Sequence, residues 1–256
     1  MDWGRAKSVL IISFLMLNVL LGYQLWVDLR EQLNANVNTA ELPADKVQLM
    51  NQKRITLSAS LPGSTPQLSD LSYLLKADSR KLEKPEVLEK PVDSALIFSM
   101  TELIRAMDGQ IPDIESYSFD LQSSRDGVAV FHRMAEGRPM FNVKLELYYS
   151  DLKVTGYKQD LVDDIKMGEA QQVIPAAKVV ASLIETYIEE GSEITDIQLG
   201  YHGQIFDSEE QVTAPSWRVT LEDGEVFYVH AISGEVTTEG AGDEVTVDPS
   251  GLPLGQ

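Results

Sequence analysis

Residues 8–27 contain no Asp, Glu, Lys or Arg, and twelve of these twenty are Leu, Ile, Val or Phe. Wound as a helix at about 1.5 Å per residue, they rise roughly 30 Å, the thickness of the hydrocarbon core of a bilayer. At about −0.3 to −0.6 kcal/mol per large apolar residue, the gain of about 4 to 7 kcal/mol outweighs the cost of Ser13, Asn18 and Gln24, so the pattern predicts a transmembrane helix. A cleaved signal peptide is the competing reading. Its apolar region is usually shorter and closes on small residues, whereas this one runs into Gly22-Tyr23-Gln24-Leu25-Trp26.

Beyond the span, residues 28–43 are polar with Leu29 and Leu33 at i, i+4, which predicts a juxtamembrane stalk closed by Pro43. A short helix is expected over 44–53 and a strand over 54–61, where period-two alternation stops at Pro62-Gly63. Another strand is expected over 69–76. Residues 78–92 are charged and carry Pro85 and Pro91, the signature of an exposed loop.

From there the same order of elements occurs twice. An amphipathic helix over 92–108 keeps Leu96, Ser99, Met100, Leu103, Ile104 and Met107 on one face and stops at Gly109; strands follow over 114–121, 128–134 and 141–149. A second helix over 175–190, apolar at Val179, Val180, Leu183, Ile184, Tyr187 and Ile188, is followed by strands over 194–201, 216–222 and 225–232. The expected fold class is therefore α+β: an N-terminal transmembrane helix, then two tandem helix-plus-antiparallel-sheet domains over 44–160 and 161–240, related as an internal repeat. A flexible acidic tail is expected over 241–256. For the last hairpin, Asp223-Gly224 predicts a type I′ turn, which sets Leu221 opposite Val226, Val219 opposite Tyr228 and Trp217 opposite His230.

Charge adds direction. Arg5 and Lys7 precede the span and only Arg30 follows it closely, so the stub 1–7 is expected in the cytoplasm and the rest outside the cell, in a single-pass membrane protein. Of the net charge of −19, Asp2, Arg5 and Lys7 contribute +1, leaving −20 on the exterior. Such a surface repels phosphate backbones, which excludes nucleic acid as a partner. No cysteine is present, so the exterior folds on hydrophobic cores without disulfides.

No catalytic constellation emerges. His132 and His230 fall in predicted strands and His202 in a turn, none with a second ligand at metal spacing. The acidic groups Asp160, Asp163 and Asp164, then Glu189 and Glu190, then Asp207, Glu209 and Glu210 lack the pattern of a calcium loop and read as solvated surface. No catalytic, cofactor or metal site is expected, and the chain is not expected to be an enzyme. The polar residues inside the span are better candidates. Ile11, Leu15, Asn18 and Gly22 form one helical stripe in which an amide and a small residue can meet a partner helix, an interhelical hydrogen bond being worth on the order of 1 kcal/mol. The competing reading is an Asn18 that bonds within its own helix.

The opening Met1-Asp2-Trp3-Gly4-Arg5-Ala6-Lys7, the span with Asn18 and its close at Gly22-Tyr23-Gln24-Leu25-Trp26 resemble the N-terminus of the YycI family. The C-terminal pattern Trp217-Arg218-Val219, Tyr228-Val229, Ala231 and Gly234-Glu235 agrees, and the last hairpin is also similar to PepSY-type modules. The resemblance implies a non-enzymatic, single-span membrane regulator that pairs with a YycH-like membrane protein and contacts the transmembrane helices of a sensor histidine kinase of the YycG (WalK) type, in a possible hetero-oligomer that controls cell-wall metabolism in Gram-positive bacteria. The competing class is a surface-tethered, PepSY-like binding module for a peptide, wall fragment or protease.

Overall fold

The computed structural model describes residues 14, 16–18, 21, 41–76, 84–206, 208–239 and 244–247. Phe14, residues 16–18 and Leu21 are helical and exposed; the rest of the expected span, the stalk up to residue 40 and most of the tail lie outside the described residues. Among the described residues no helix is long and apolar enough to cross a membrane.

From residue 41 onward the described residues form a mixed, sheet-rich α+β structure with few helices. In chain order come α1 (Ala44–Gln52), β1 (Thr56–Leu57), β2 (Gln67–Leu68), β3 (Leu71–Leu75), β4 (Glu86–Asp93), a 3-10 turn (Ser94–Phe98) and α2 (Met100–Met107). Four strands follow as a meander: β5 (Tyr117–Arg125), β6 (Val128–Ala135), β7 (Arg138–Ser150) and β8 (Lys153–Gln159). After β9 (Val162–Met167), β10 (Gln171–Gln172) and α3 (Ala176–Thr186), a second meander comprises β11 (Glu193–His202), β12 (Glu210–Leu221), β13 (Val226–His230), β14 (Val236–Glu239) and β15 (Glu244–Val247). β11 meets β7 in parallel at Tyr201 and Met140, so the two meanders share one sheet ordered β15-β14-β13-β12-β11-β7-β6-β5.

Two hydrophobic cores sit on this sheet, and they do not follow chain order. One gathers Leu103 and Met107 of α2 with Phe131, Val143, Leu145 and Leu147. The other gathers Val180, Leu183 and Ile184 of α3 with Trp217, Val219, Phe227 and Val229, and Ile55 and Leu68 from the first third of the chain join it. Lys53 explains that crossing. Its ammonium donates to the Ile184 carbonyl at 2.7 Å and lies 3.4 Å from those of Glu185 and Ile188, so it occupies acceptors at the end of α3 where a cation is also favoured by the helix dipole. β1 then continues parallel to β11, Leu57 beside Ile194.

Three local expectations are corrected. The region 78–92 is not all loop: its second half is β4, an edge strand paired to β8, with Pro91 inside a break in register between Val87 and Val92, where a missing N–H costs nothing. The helix over 92–108 breaks at Ser99, which is extended (φ −130°, ψ 90°), because Asp93 accepts the Ala95 N–H and starts a separate 3-10 turn. The last hairpin is one residue out of the expected register: Val219 faces Phe227, Trp217 faces Val229 and Arg218 faces Tyr228. Only Gly224 has positive φ there, and its N–H returns to the Leu221 carbonyl, so the loop is a type I turn closed by a left-handed glycine. The slip puts Trp217, Val219, Phe227 and Val229 together in one core and turns Arg218 and Tyr228 to the other face. Among the hairpins, positive φ at two successive residues occurs instead at Glu136-Gly137, between β6 and β7, and at Asp151-Leu152, between β7 and β8.

Candidate functional site at the seam between the two cores

The face of β11–β13 that carries Arg218 and Tyr228 is covered by side chains of β5–β7, and this seam holds the main cluster of buried polar residues. Two irregularities build it. In β5 the register jumps between Asp120 and Arg125; Ser124 plugs the gap, donating to the Asp120 carbonyl at 2.6 Å and accepting the Val130 N–H at 2.9 Å. In β7 it jumps opposite His132 and Arg133, leaving residues 141–143 unpaired with β6. Such bulges re-aim side chains. Asn142 accepts the Gly203 N–H at 3.0 Å, and Phe141 reaches β11 where Gly200 has no side chain. A Cβ at Gly200 would lie 2.6 Å from the Phe141 ring and 2.5 Å from the Pro139 carbonyl oxygen.

Arg218 is the hub. One end of its guanidinium donates to Asp120 Oδ2 and, at 3.2 Å, to Ser123 Oγ; the other donates to Gln198 at 2.8 Å and Asp196 at 3.3 Å. Its Cζ lies over the Phe141 ring, 4.7 Å from the ring centre. Asp120 is held in turn by the Gln122 N–H on Oδ1, Ser123 Oγ on Oδ2 and His132 Nε2 at 3.0 Å. Burial works against the Asp120 carboxylate, but the hydrogen bonds from His132 and Arg218 prevail and hold its pKa well below the ordinary range. His132 is pushed down, chiefly by burial, with Arg218 and Lys144 adding to it against the pull of Asp120. Arg218 is raised: burial opposes its charge, and the bond and charge of Asp120 outweigh burial. Four rings complete the seam. His202 stacks on Tyr228 (3.8 Å, 6° between planes), Tyr228 meets Phe141 at 5.5 Å, and Phe141 meets His132 edge-on at 5.7 Å.

Ser123, His132 and Asp120 do not form a nucleophilic relay. Serine and carboxylate both face the same imidazole nitrogen, Nε2, whereas a relay needs one on each side of the ring. The geometry suits a fixed joint. Removing one member of a buried pair costs about 3–5 kcal/mol, although the pair adds little net stability over a hydrophobic substitute, so its value is in fixing one arrangement of the two cores.

The residues expected to carry function lie elsewhere. Ile11, Leu15 and Gly22 are outside the described residues, and Asn18 is helical and exposed. Among the described residues no group of three or more His, Asp or Glu could hold a metal ion. Asp160 accepts the Lys144 N–H, Asp163 pairs with Lys76 and Asp164 with Lys166. His230 closes a turn, its Nδ1 accepting the Ile232 and Ser233 N–H groups.

The family model for YycI proteins matches residues 34–232, most of the chain and all of the seam. The chain belongs to the YycI family. YycI is a family of regulators associated with the YycG (WalK) two-component system. Comparison with the curated proteins finds no match. Among solved structures, one of an uncharacterized protein from Eubacterium rectale ATCC 33656 is similar at 11% identity; the match covers 68% of this chain and 61% of that one, with a TM-score of 0.35. Arg218, the hub of the seam, lies within the Trp217-Arg218-Val219 pattern that carries the YycI resemblance.

Proposed function

We propose that this YycI protein is a membrane-anchored accessory regulator of a sensor histidine kinase that controls cell-wall metabolism. It acts through transmembrane and exterior contacts with a YycH-like partner and the kinase. The observation that carries this reading is the family match over residues 34–232. Residues 8–27 are the span, with the N-terminus in the cytoplasm and the exterior outside the cell, and the stripe Ile11, Leu15, Asn18 and Gly22 is the contact with partner helices. The exterior comprises two α+β units related as an internal repeat, a reading supported by a helix followed by a meander in each half. Both units are tied at the seam, so an exterior partner and the membrane helix act on one body, and the partner biases the kinase between states that exist without it.

Exchanging residues 8–27 for an unrelated span of equal length tests the reading, with a kinase-dependent transcriptional reporter as readout. A helix-contact regulator loses its effect on output. An effect kept at wild-type strength by the exchanged protein overturns the reading and favours a tethered binding module.

A further inference from the structure

The two ends of the ring stack are histidines, and each sits in a setting that accepts a neutral imidazole and resists a charged one. His132 on β6 faces Asp120 and Ser123 of β5, Arg218 of β12, and Lys144 and Phe141 of β7. Among the described residues its carboxylate contact is made through Nε2, while Nδ1 is buried without a hydrogen-bond partner, so a proton added there finds no acceptor. The acceptor it shares, Asp120 Oδ2, already takes hydrogen bonds from Ser123 and Arg218, and Asp196, the other carboxylate of the cluster, is spent on the far end of Arg218. His202 at the end of β11 is stacked on Tyr228 of β13 and feels the positive charge of Lys144 on β7. Burial and Lys144 push it down to about 4. Among the described residues, these histidines flank the place where the two meanders pair through backbone, Tyr201 beside Met140.

We propose that the seam is an acid-operated latch: neutral His132 and His202 hold the two cores in register, and proton uptake at these rings releases the contact between β7 and β11 while each core stays folded. The linkage has one sign. An imidazole whose pKa is depressed when closed and ordinary when open favours the closed state fully above about pH 6.5 and progressively less below it. For His202 alone, moving from an ordinary 6.5 to about 4 makes opening about tenfold easier at about pH 5.5 and about a hundredfold easier at about pH 4. With the exterior placed outside the cell as proposed above, the proton source is the medium; the latch itself does not depend on that placement and is tested apart from it.

The test is hydrogen exchange on the full-length protein in lipid nanodiscs at steps from about pH 7.5 to about pH 4, corrected for the intrinsic pH dependence of exchange. Amides of residues 141–144 and 200–203 should lose protection by the factors above, while those of α3 keep theirs. Lys144→Gln removes a charge that depresses both histidines in the closed state, which narrows the gap to their open-state value and should make the loss smaller at every acid pH; His202→Phe keeps a ring on Tyr228 without the proton and should leave only the part of the loss that comes from His132. Seam protection that is flat over this range, or that falls in step with α3, overturns the latch. So does a loss that Lys144→Gln leaves as large as in the wild type, and the wild-type series decides the matter even where His202→Phe fails to fold.

Discussion

Arg218 and Asp120 are 98 residues apart in sequence and form a buried ion pair that crosses from one core of the protein to the other. Each has further partners on its own side, Gln198 and Asp196 for the arginine, Ser123 and His132 for the aspartate, so the pair joins two local networks. Arg218→Met should cost about 3–5 kcal/mol, because it leaves the buried Asp120 carboxylate without its cation. Arg218→Met combined with Asp120→Leu should cost clearly less than the two single changes summed, since the double change leaves no stranded charge. Urea unfolding of the four proteins measures the cycle. Additive costs would mean that the two side chains do not act as a pair.

A second expectation concerns Gly200. The atoms that would meet a Cβ there are a ring wedged between Arg218 and Tyr228 and a backbone carbonyl, and neither can swing aside. Gly200→Ala should therefore cost about 1–3 kcal/mol through overpacking. Gly224→Ala, where nothing lies within 4 Å and only the positive φ is strained, should cost about 1 kcal/mol. Thermal unfolding ranks the two. Phe141→Leu should recover part of the Gly200→Ala loss, leaving the clash with the Pro139 carbonyl.

Asp120 gives the fold a defined acid limb. Its carboxyl is held low in the folded state, so its contribution is present above the ordinary value of 3.8 and is lost as pH falls through that value and below. The wild-type protein should lose stability steeply below about pH 4. Asp120→Asn should be less stable at neutral pH but have a flatter acid limb. Denaturation curves at successive pH values compare the two, and parallel acid limbs would assign that limb to other groups.

Much of the fold was legible in the period of the apolar residues. The helix carrying Val179, Val180, Leu183 and Ile184 and the strands around Phe131, Leu145 and Val219 occur where alternation put them. β4 was hidden by Pro91, which a sheet tolerates only at an edge or a break in register, a tertiary fact no local pattern reports. The register of the last hairpin failed for a related reason: Asp-Gly suits more than one loop, and burial of Trp217, Val219, Phe227 and Val229 on one side chose the longer one. The seam was not legible. Its members at 120, 132, 141, 200, 202, 218 and 228 share no spacing, and two bulges and the joining of the two meanders in one sheet bring them together. One trace stood in the sequence: Arg218, a cation in the middle of a strand otherwise built to be buried.

The proposed membrane stripe is tested apart from the rest of the chain. In the proposed span Asn18 and Gly22 stand four positions apart, the spacing of one helical turn, and in lipid an amide and a small residue on one face favour close approach of a second helix, worth on the order of 1 kcal/mol per hydrogen bond. Replacing both by Leu keeps the segment apolar, so insertion and the folded exterior should be unchanged, while the face offered to a partner helix becomes bulky and loses its amide. In cells carrying the sensor kinase, Asn18→Leu with Gly22→Leu should shift the output of a kinase-dependent reporter away from wild type. It should also reduce recovery of the kinase with this protein from detergent-solubilised membranes. A double variant that matches wild type in both measurements, in a background where deleting residues 8–27 changes output, would place the contact on another face of the helix.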